Sequence, residues 1–187
     1  MFNSKEHSAD YILLAYFAVL FFFGLIILTS ASAPMGYDKF GDKYFFIKRQ
    51  ILAGVLPGLA AFFVLVKVKY ELLKKYSLPI FIFSLFLAVL VFIPGIGSDL
   101  NTGARSWVKL FSQSFQPAEF LKIAMIIFLA GYLSDRGREL LDFKKGFLIA
   151  LGVGLIPIIL VLLQPDIGTA LVLFVILFGM LFIAGAN

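Results

Sequence analysis

Glu119 and Lys122 stand three residues apart in Phe115-Gln116-Pro117-Ala118-Glu119-Phe120-Leu121-Lys122, at the head of an apolar stretch. At about 100° per residue, a helix projects both side chains from one face, within about 60° of each other. A carboxylate and an ammonium so placed can pair as a structural ion pair, or face a polar ligand together. Pro117 suits the first helical position, Gln116 adds an amide side chain, and Lys122 lies one turn in. The segment therefore has the makings of an anion site.

A second polar knot, Gln164-Pro165-Asp166-Ile167-Gly168-Thr169, separates two apolar runs. Asp166 reads either as an N-cap or turn residue after Pro165, or as a polar contact at the mouth of a cavity, helped by Gln164 and Thr169. A third, Gly103-Ala104-Arg105-Ser106-Trp107, holds an Arg and a Trp that can act as an interfacial anchor pair.

The elements that position these residues are membrane helices. Hydrophobic residues make up 61% of the 187, with 23 Phe, which leaves too little polar surface to cover a soluble globule. Mean hydropathy is +1.02. Cys is absent and the single His, His7, lies in the polar N-terminal tail, so thiol chemistry and a Cys/His metal centre are excluded. The net charge of +5 comes from basic residues dispersed among short loops, without a contiguous run that would suit nucleic acid.

Stretches near the length of about 20 residues that crosses a bilayer predict an all-α integral membrane protein, a polytopic bundle of about six helices. They fall near 11–30, 46–66, 77–96, 117–134, 146–164 and 167–186, within a single transmembrane domain spanning 1–187. Pro57 predicts a kink in the second. The last two form an apolar stretch too long for one straight span, so Gln164 to Thr169 is expected to be a tight reversal or interfacial break. A secretory-signal reading of the first segment is disfavoured by its length and by Glu6 and Asp10.

With the N-terminus in the cytoplasm, the inner side carries Lys5, Lys67, Lys69, Lys74, Lys75, Arg136, Arg138, Lys144 and Lys145. The outer side carries Lys39, Lys43, Lys48, Arg49, Arg105 and Lys109. The excess predicts that orientation and sets all three polar knots on the outer face. No phosphate-binding Gly loop, His-based catalytic arrangement or carboxylate cluster of metal-ligand spacing occurs in the loops.

The ordered series Arg49-Gln50, Pro94-Gly95-Ile96-Gly97, Gly103 to Trp107, Phe115 to Glu119 with Lys122, and Gln164 to Ala170 resembles the SEDS family (shape, elongation, division, sporulation) of FtsW, RodA and SpoVE. Ser30-Ala31-Ser32 and Leu181 to Ala186 look closer to FtsW. The resemblance runs from about Asp10 to the last residue and implies the N-terminal part of a fold of about ten helices.

It further implies a multi-pass enzyme of the bacterial cytoplasmic membrane, a peptidoglycan glycosyltransferase that polymerises lipid II into glycan strands at the outer face during cell division. Its implied partners are lipid II, a class B penicillin-binding protein, divisome membrane proteins and the bilayer, with no nucleic acid. Whether the full-length enzyme uses a divalent cation is left open, and no metal ligands are assigned. Carried over as lining of the substrate cavity are Arg105, Gln116, Glu119, Lys122 and Asp166. Gly103, Trp107, Pro117, Pro165 and Gly168 carry over as structural motif residues.

Two departures matter. The family places Arg directly before Trp, where this chain has Ser106, with Arg105 one position earlier; on a helix that shift rotates the side chain by about 100°. The family's catalytic Asp lies in an outer loop after the seventh helix, beyond Asn187, so no catalytic residue is expected here and the chain reads as truncated before the catalytic loop. A lipid II transporter and a non-catalytic membrane scaffold of the cell-wall machinery are the alternatives.

Overall fold

The computed structural model describes residues 10–99, 103–110, 113–136 and 146–185. Lys5, His7, Arg138, Lys144, Lys145 and Ala186 lie outside the described residues. The chain divides into two units, Met1–Lys67 and Val68–Asn187.

In the first unit, helix α1 (Tyr11–Phe40) starts at Asp10, whose carboxylate accepts the amides of Ile12 and Leu13 at 3.0 Å. It ends at Gly41, in the left-handed conformation at φ 68°, whose amide returns to the Tyr37 carbonyl. It runs about ten residues past the expected end near residue 30. Pro34 fails to stop it, and at 30 residues the helix rises about 45 Å, past a hydrocarbon layer of about 30 Å.

Beyond Gly41 the chain doubles back closely: a Cβ on Gly36 would stand 2.8 Å from the Asp42 carbonyl oxygen. The Phe40 and Phe45 rings stack at 3.8 Å, with Phe46 edge-on to both. Asp42 accepts from Lys48 Nζ at 2.7 Å and from the Tyr44 amide at 2.9 Å; the Lys48 bond, then the Tyr44 amide, holds its carboxyl below the usual carboxylate range. Helix α2 (Phe45–Lys67) follows. It widens into a π turn at Ile51–Val55, just before Pro57, which has no amide to return to the Ala53 carbonyl and crowds it instead.

In the second unit, α3 (Tyr70–Phe92) tightens to a 3₁₀ turn at Leu90–Phe92. An antiparallel sheet of β1 (Gly97–Ser98), β2 (Trp107–Leu110) and β3 (Gln113–Phe115), in that spatial order, leads into α4 (Pro117–Arg136). Then come α5 (Leu148–Leu162) and α6 (Ile167–Ile183), joined by a reversal. α1 to α4 are each long and apolar enough to cross a membrane; α5 and α6 are apolar and shorter. The protein is a multi-pass, all-α membrane protein.

α3 packs chiefly on α4, and α5 on α6, while α4 touches both α5 and α6. The buried face of α4 repeats at helical spacing through Ala118, Leu121, Met125, Phe128 and Leu129. Phe81 of α3 stacks on Phe128 at 4.6 Å, and Leu173 and Leu177 of α6 close the core. At Gly154 of α5 a Cβ would collide with the Leu177 side chain, so this glycine lets α5 and α6 approach.

Two ends of this unit can be told apart. The head end holds the close of α3, the sheet, the start of α4 and the α5–α6 reversal. The tail end holds the start of α3 and the close of α4, where Lys74 pairs with Asp135 and the Arg136 guanidinium lies 4.9 Å from the Tyr132 ring centre.

Candidate functional site

At the head end, Pro117 is fully buried at the first position of α4, where its missing amide costs nothing. That fixes Gln116 immediately outside the helix. Gln116 Nε2 donates to Asp166 Oδ2 at 2.9 Å, across 50 residues of sequence, and lies 3.5 Å from Ser106 Oγ.

Asp166 is the N-cap its sequence position allows, and it also makes a long-range polar contact. It caps α6, with Oδ1 accepting the Thr169 amide at 3.0 Å, and its Oδ2 accepts the Thr169 hydroxyl at 2.8 Å as well as the Gln116 amide. Gln116 thus joins α4 to α6 through a carboxylate that is already anchored. Ionised, the group accepts from three donors, each charge-assisted.

One turn into α4, Lys122 Nζ donates to Glu119 Oε1 at 2.9 Å. The pair is formed, but it is not buried: the Lys122 side chain is 23% exposed and that of Glu119 60%. Glu119 stands on the open face of α4 with the exposed Ile123 and Ile126, and Lys122 lies at the edge between that face and the packed stripe. That face is amphiphilic along its length, charged toward the head end and aliphatic below.

Arg105 does not join this cluster. Its segment is neither helix nor strand: the Ser106 amide returns to the Ala104 carbonyl at 2.9 Å in a tight turn centred on Arg105, so the helical rotation of about 100° does not apply. Arg105 is exposed, with Nη2 3.5 Å from the Ile93 carbonyl, whereas Ser106 is buried and faces Gln116. Trp107 pairs with Ser98 in the sheet. Gly103 takes φ 80°, a left-handed conformation that favours glycine. Pro165 sits in the reversal and Gly168 in the first turn of α6, where a Cβ would make ordinary contact.

Ser106 and Thr169 contact the cluster directly, whereas Arg105 does not. Thr169 was legible as the third residue after an N-cap Asp. Nothing in the sequence tells that Ser106 points inward, because that depends on which face of an irregular segment is covered. Among the described residues, no group of three His, Asp or Glu side chains is gathered to hold a metal ion.

Comparison with known proteins bears on the family and the fold. Residues 10–187 match the cell cycle protein family model that covers FtsW, RodA and SpoVE. Stage V sporulation protein E of Bacillus subtilis is 40% identical over 99% of this chain and 50% of its own length. A probable peptidoglycan glycosyltransferase FtsW of Pasteurella multocida is 42% identical over 95% of this chain and 44% of its own.

Among solved structures, Thermus thermophilus RodA superposes with a TM-score of 0.68 at 30% identity, over 88% of this chain and 54% of that one. A chain of a peptidoglycan synthase complex that coordinates polymerisation and crosslinking gives a TM-score of 0.67 at 30% identity, over 87% and 47%. The chain spans about half the length of the curated relatives it matches. With the family model, the curated relatives and the solved structures in agreement, the chain belongs to the FtsW, RodA and SpoVE family.

Proposed function

We propose that this chain forms the substrate-handling part of an FtsW-like peptidoglycan glycosyltransferase. The enzyme polymerises lipid II into glycan strands at the outer face of the bacterial cytoplasmic membrane, beside a class B penicillin-binding protein of the division machinery. The observation that carries the reading is the open face of α4. A carboxylate and an ammonium turned toward lipid are costly, so a face bearing Glu119, with Lys122 at its edge, above Ile123 and Ile126 suits a ligand with a charged head and an apolar tail. A diphosphate-linked sugar on a polyprenyl chain has that form.

In this reading Lys122 meets the diphosphate and offsets charge that develops as the anomeric bond breaks. Gln116 and Asp166 hold the mouth of the site, with the Asp166 carboxylate and the Ser106 hydroxyl available to sugar hydroxyls. Proton removal from the acceptor hydroxyl requires a positioned base, and the two carboxylates of this site are already engaged, Glu119 with Lys122 and Asp166 with Gln116 and Thr169. The name of the Pasteurella relative and the family match support the reaction class. The synthase complex supports a partnered enzyme.

The test is to reconstitute the protein at its native length with its penicillin-binding partner in liposomes and supply lipid II. Glycan strands of many disaccharides are expected, and their formation should fall by about 10²–10³-fold with Lys122→Ala. Movement of lipid II between leaflets without strand formation would replace this reading with a transporter. Strands formed equally well by Glu119→Ala and Lys122→Ala variants would point instead to a scaffold.

A further inference from the structure

Gln164 is the largest buried polar side chain of the described residues, 1% exposed, in the reversal that presents Asp166. Its Nε2 donates to the Ala88 carbonyl of α3 at 3.0 Å, across 76 residues of sequence. Ala88 lies near the close of α3, just before the 3₁₀ turn at Leu90–Phe92, so the bond ties the reversal to the head end of that helix. The bond also fixes the orientation of the amide, because turning it over would set oxygen against oxygen.

Gln164 Oε1 is left buried without a hydrogen-bond partner. A leucine or methionine would avoid that orphaned acceptor at the same volume, so packing alone does not account for an amide here. What the amide adds is a tie between the reversal and α3. Two residues on, Asp166 makes the other tie, to Gln116 of α4. Together the two bonds clamp the reversal between α3 and α4 and fix where the Asp166 carboxylate points.

We infer that Gln164 is a positioning residue: it acts through Asp166, holding that carboxylate in register with Gln116, and never touches the substrate. The inference rests on the reading of the Asp166 cluster as part of the substrate site. It demands that the effect of Gln164 on the reaction vanish once Asp166 is gone, whereas a packing role would persist.

The experiment is a double-mutant cycle on the native-length protein with its partner, following lipid II polymerisation and thermal unfolding in parallel. Gln164→Met is expected to lower kcat about tenfold while leaving KM for lipid II nearly unchanged, as loss of orientation rather than of binding requires. In the Asp166→Ala background the same substitution should cost nothing further in rate, although it lowers the unfolding temperature equally in both backgrounds. Equal fold losses of rate in the two backgrounds would overturn the inference and leave Gln164 as packing, with the Asp166 site intact. No rate loss from Asp166→Ala alone would overturn the site reading and this inference with it. If Gln164→Met does not accumulate in membranes, Gln164→Asn serves the same cycle, since it keeps the amide and withdraws it by one methylene from the Ala88 carbonyl.

Discussion

The two ends of the second unit handle polar side chains in opposite ways. At the tail end Lys74 and Asp135 pair at the surface, 40% and 67% exposed, and Arg136 rests on the Tyr132 ring. At the head end Gln116, Asp166, Thr169 and Gln164 are partly or fully buried, and two of their bonds join segments 50 and 76 residues apart. A surface pair can be lost with little consequence, because water replaces either partner. A buried bond between distant elements cannot, since each group it strands stays desolvated. The head end is thus the end whose geometry is fixed, as a site requires.

The sharpest test of that contrast is charge removal at each end. Lys122→Ala should lower glycan-strand formation by about 10²–10³-fold, the usual cost of losing one donor aimed at developing negative charge. Lys74→Ala, measured side by side, should leave the rate unchanged. Since Lys122 is partly exposed, the variant is expected to accumulate in membranes like the parent protein. Equal loss from both substitutions would erase the distinction between the ends.

Next in size is the Gln116–Asp166 bond. Gln116→Ala and Asp166→Ala should each slow strand formation by about 10²-fold, the cost of misplacing a site by about 1 Å. The double variant should be no slower than the worse single one, because both remove the same bond. Multiplicative losses would mean that the two residues serve the reaction separately.

A third test separates shape from chemistry at the head end. Gly97 of β1 lies so close to the end of α3 that a Cβ would coincide with the Val91 carbonyl. Backbone gives way less readily than a side-chain tip, so Gly97→Ala should destabilise the protein by about 1–3 kcal/mol, the range for overpacking. Gly154→Ala meets only the flexible end of Leu177 and should fall at the lower part of that range. Thermal unfolding in detergent ranks the two, and the reverse order would show that the head-end sheet adapts.

Much of this was legible in the residues. The cost of charge in hydrocarbon singles out Glu119 and Lys122, Pro117 marks the start of α4, and Asp166 after Pro165 marks a cap. Less legible was the length of α1: its small residues after Leu28 read as an end, yet helix persists to a left-handed glycine at position 41. Strands of two to four residues carry too little periodicity to be recognised. The Gln116–Asp166 and Gln164–Ala88 bonds were out of reach for a different reason. They depend on how α3, α4 and the α5–α6 reversal meet, and no local pattern encodes a partner so far along the chain.

The smallest expected effect lies at the tail end. Lys74 and Asp135 join α3 to α4 near Gly131, where a Cβ would come within 3.3 Å of Ser77 Oγ, so backbone proximity already fixes their approach. With both side chains well exposed, the pair contributes about 0.2–1 kcal/mol. Asp135→Asn should therefore change the unfolding temperature only slightly, and the change should shrink further in high salt as the Coulomb attraction is screened. A salt-independent loss of several degrees would show instead that the fold depends on this pair as much as on the buried bonds opposite it, and would remove the contrast between the two ends.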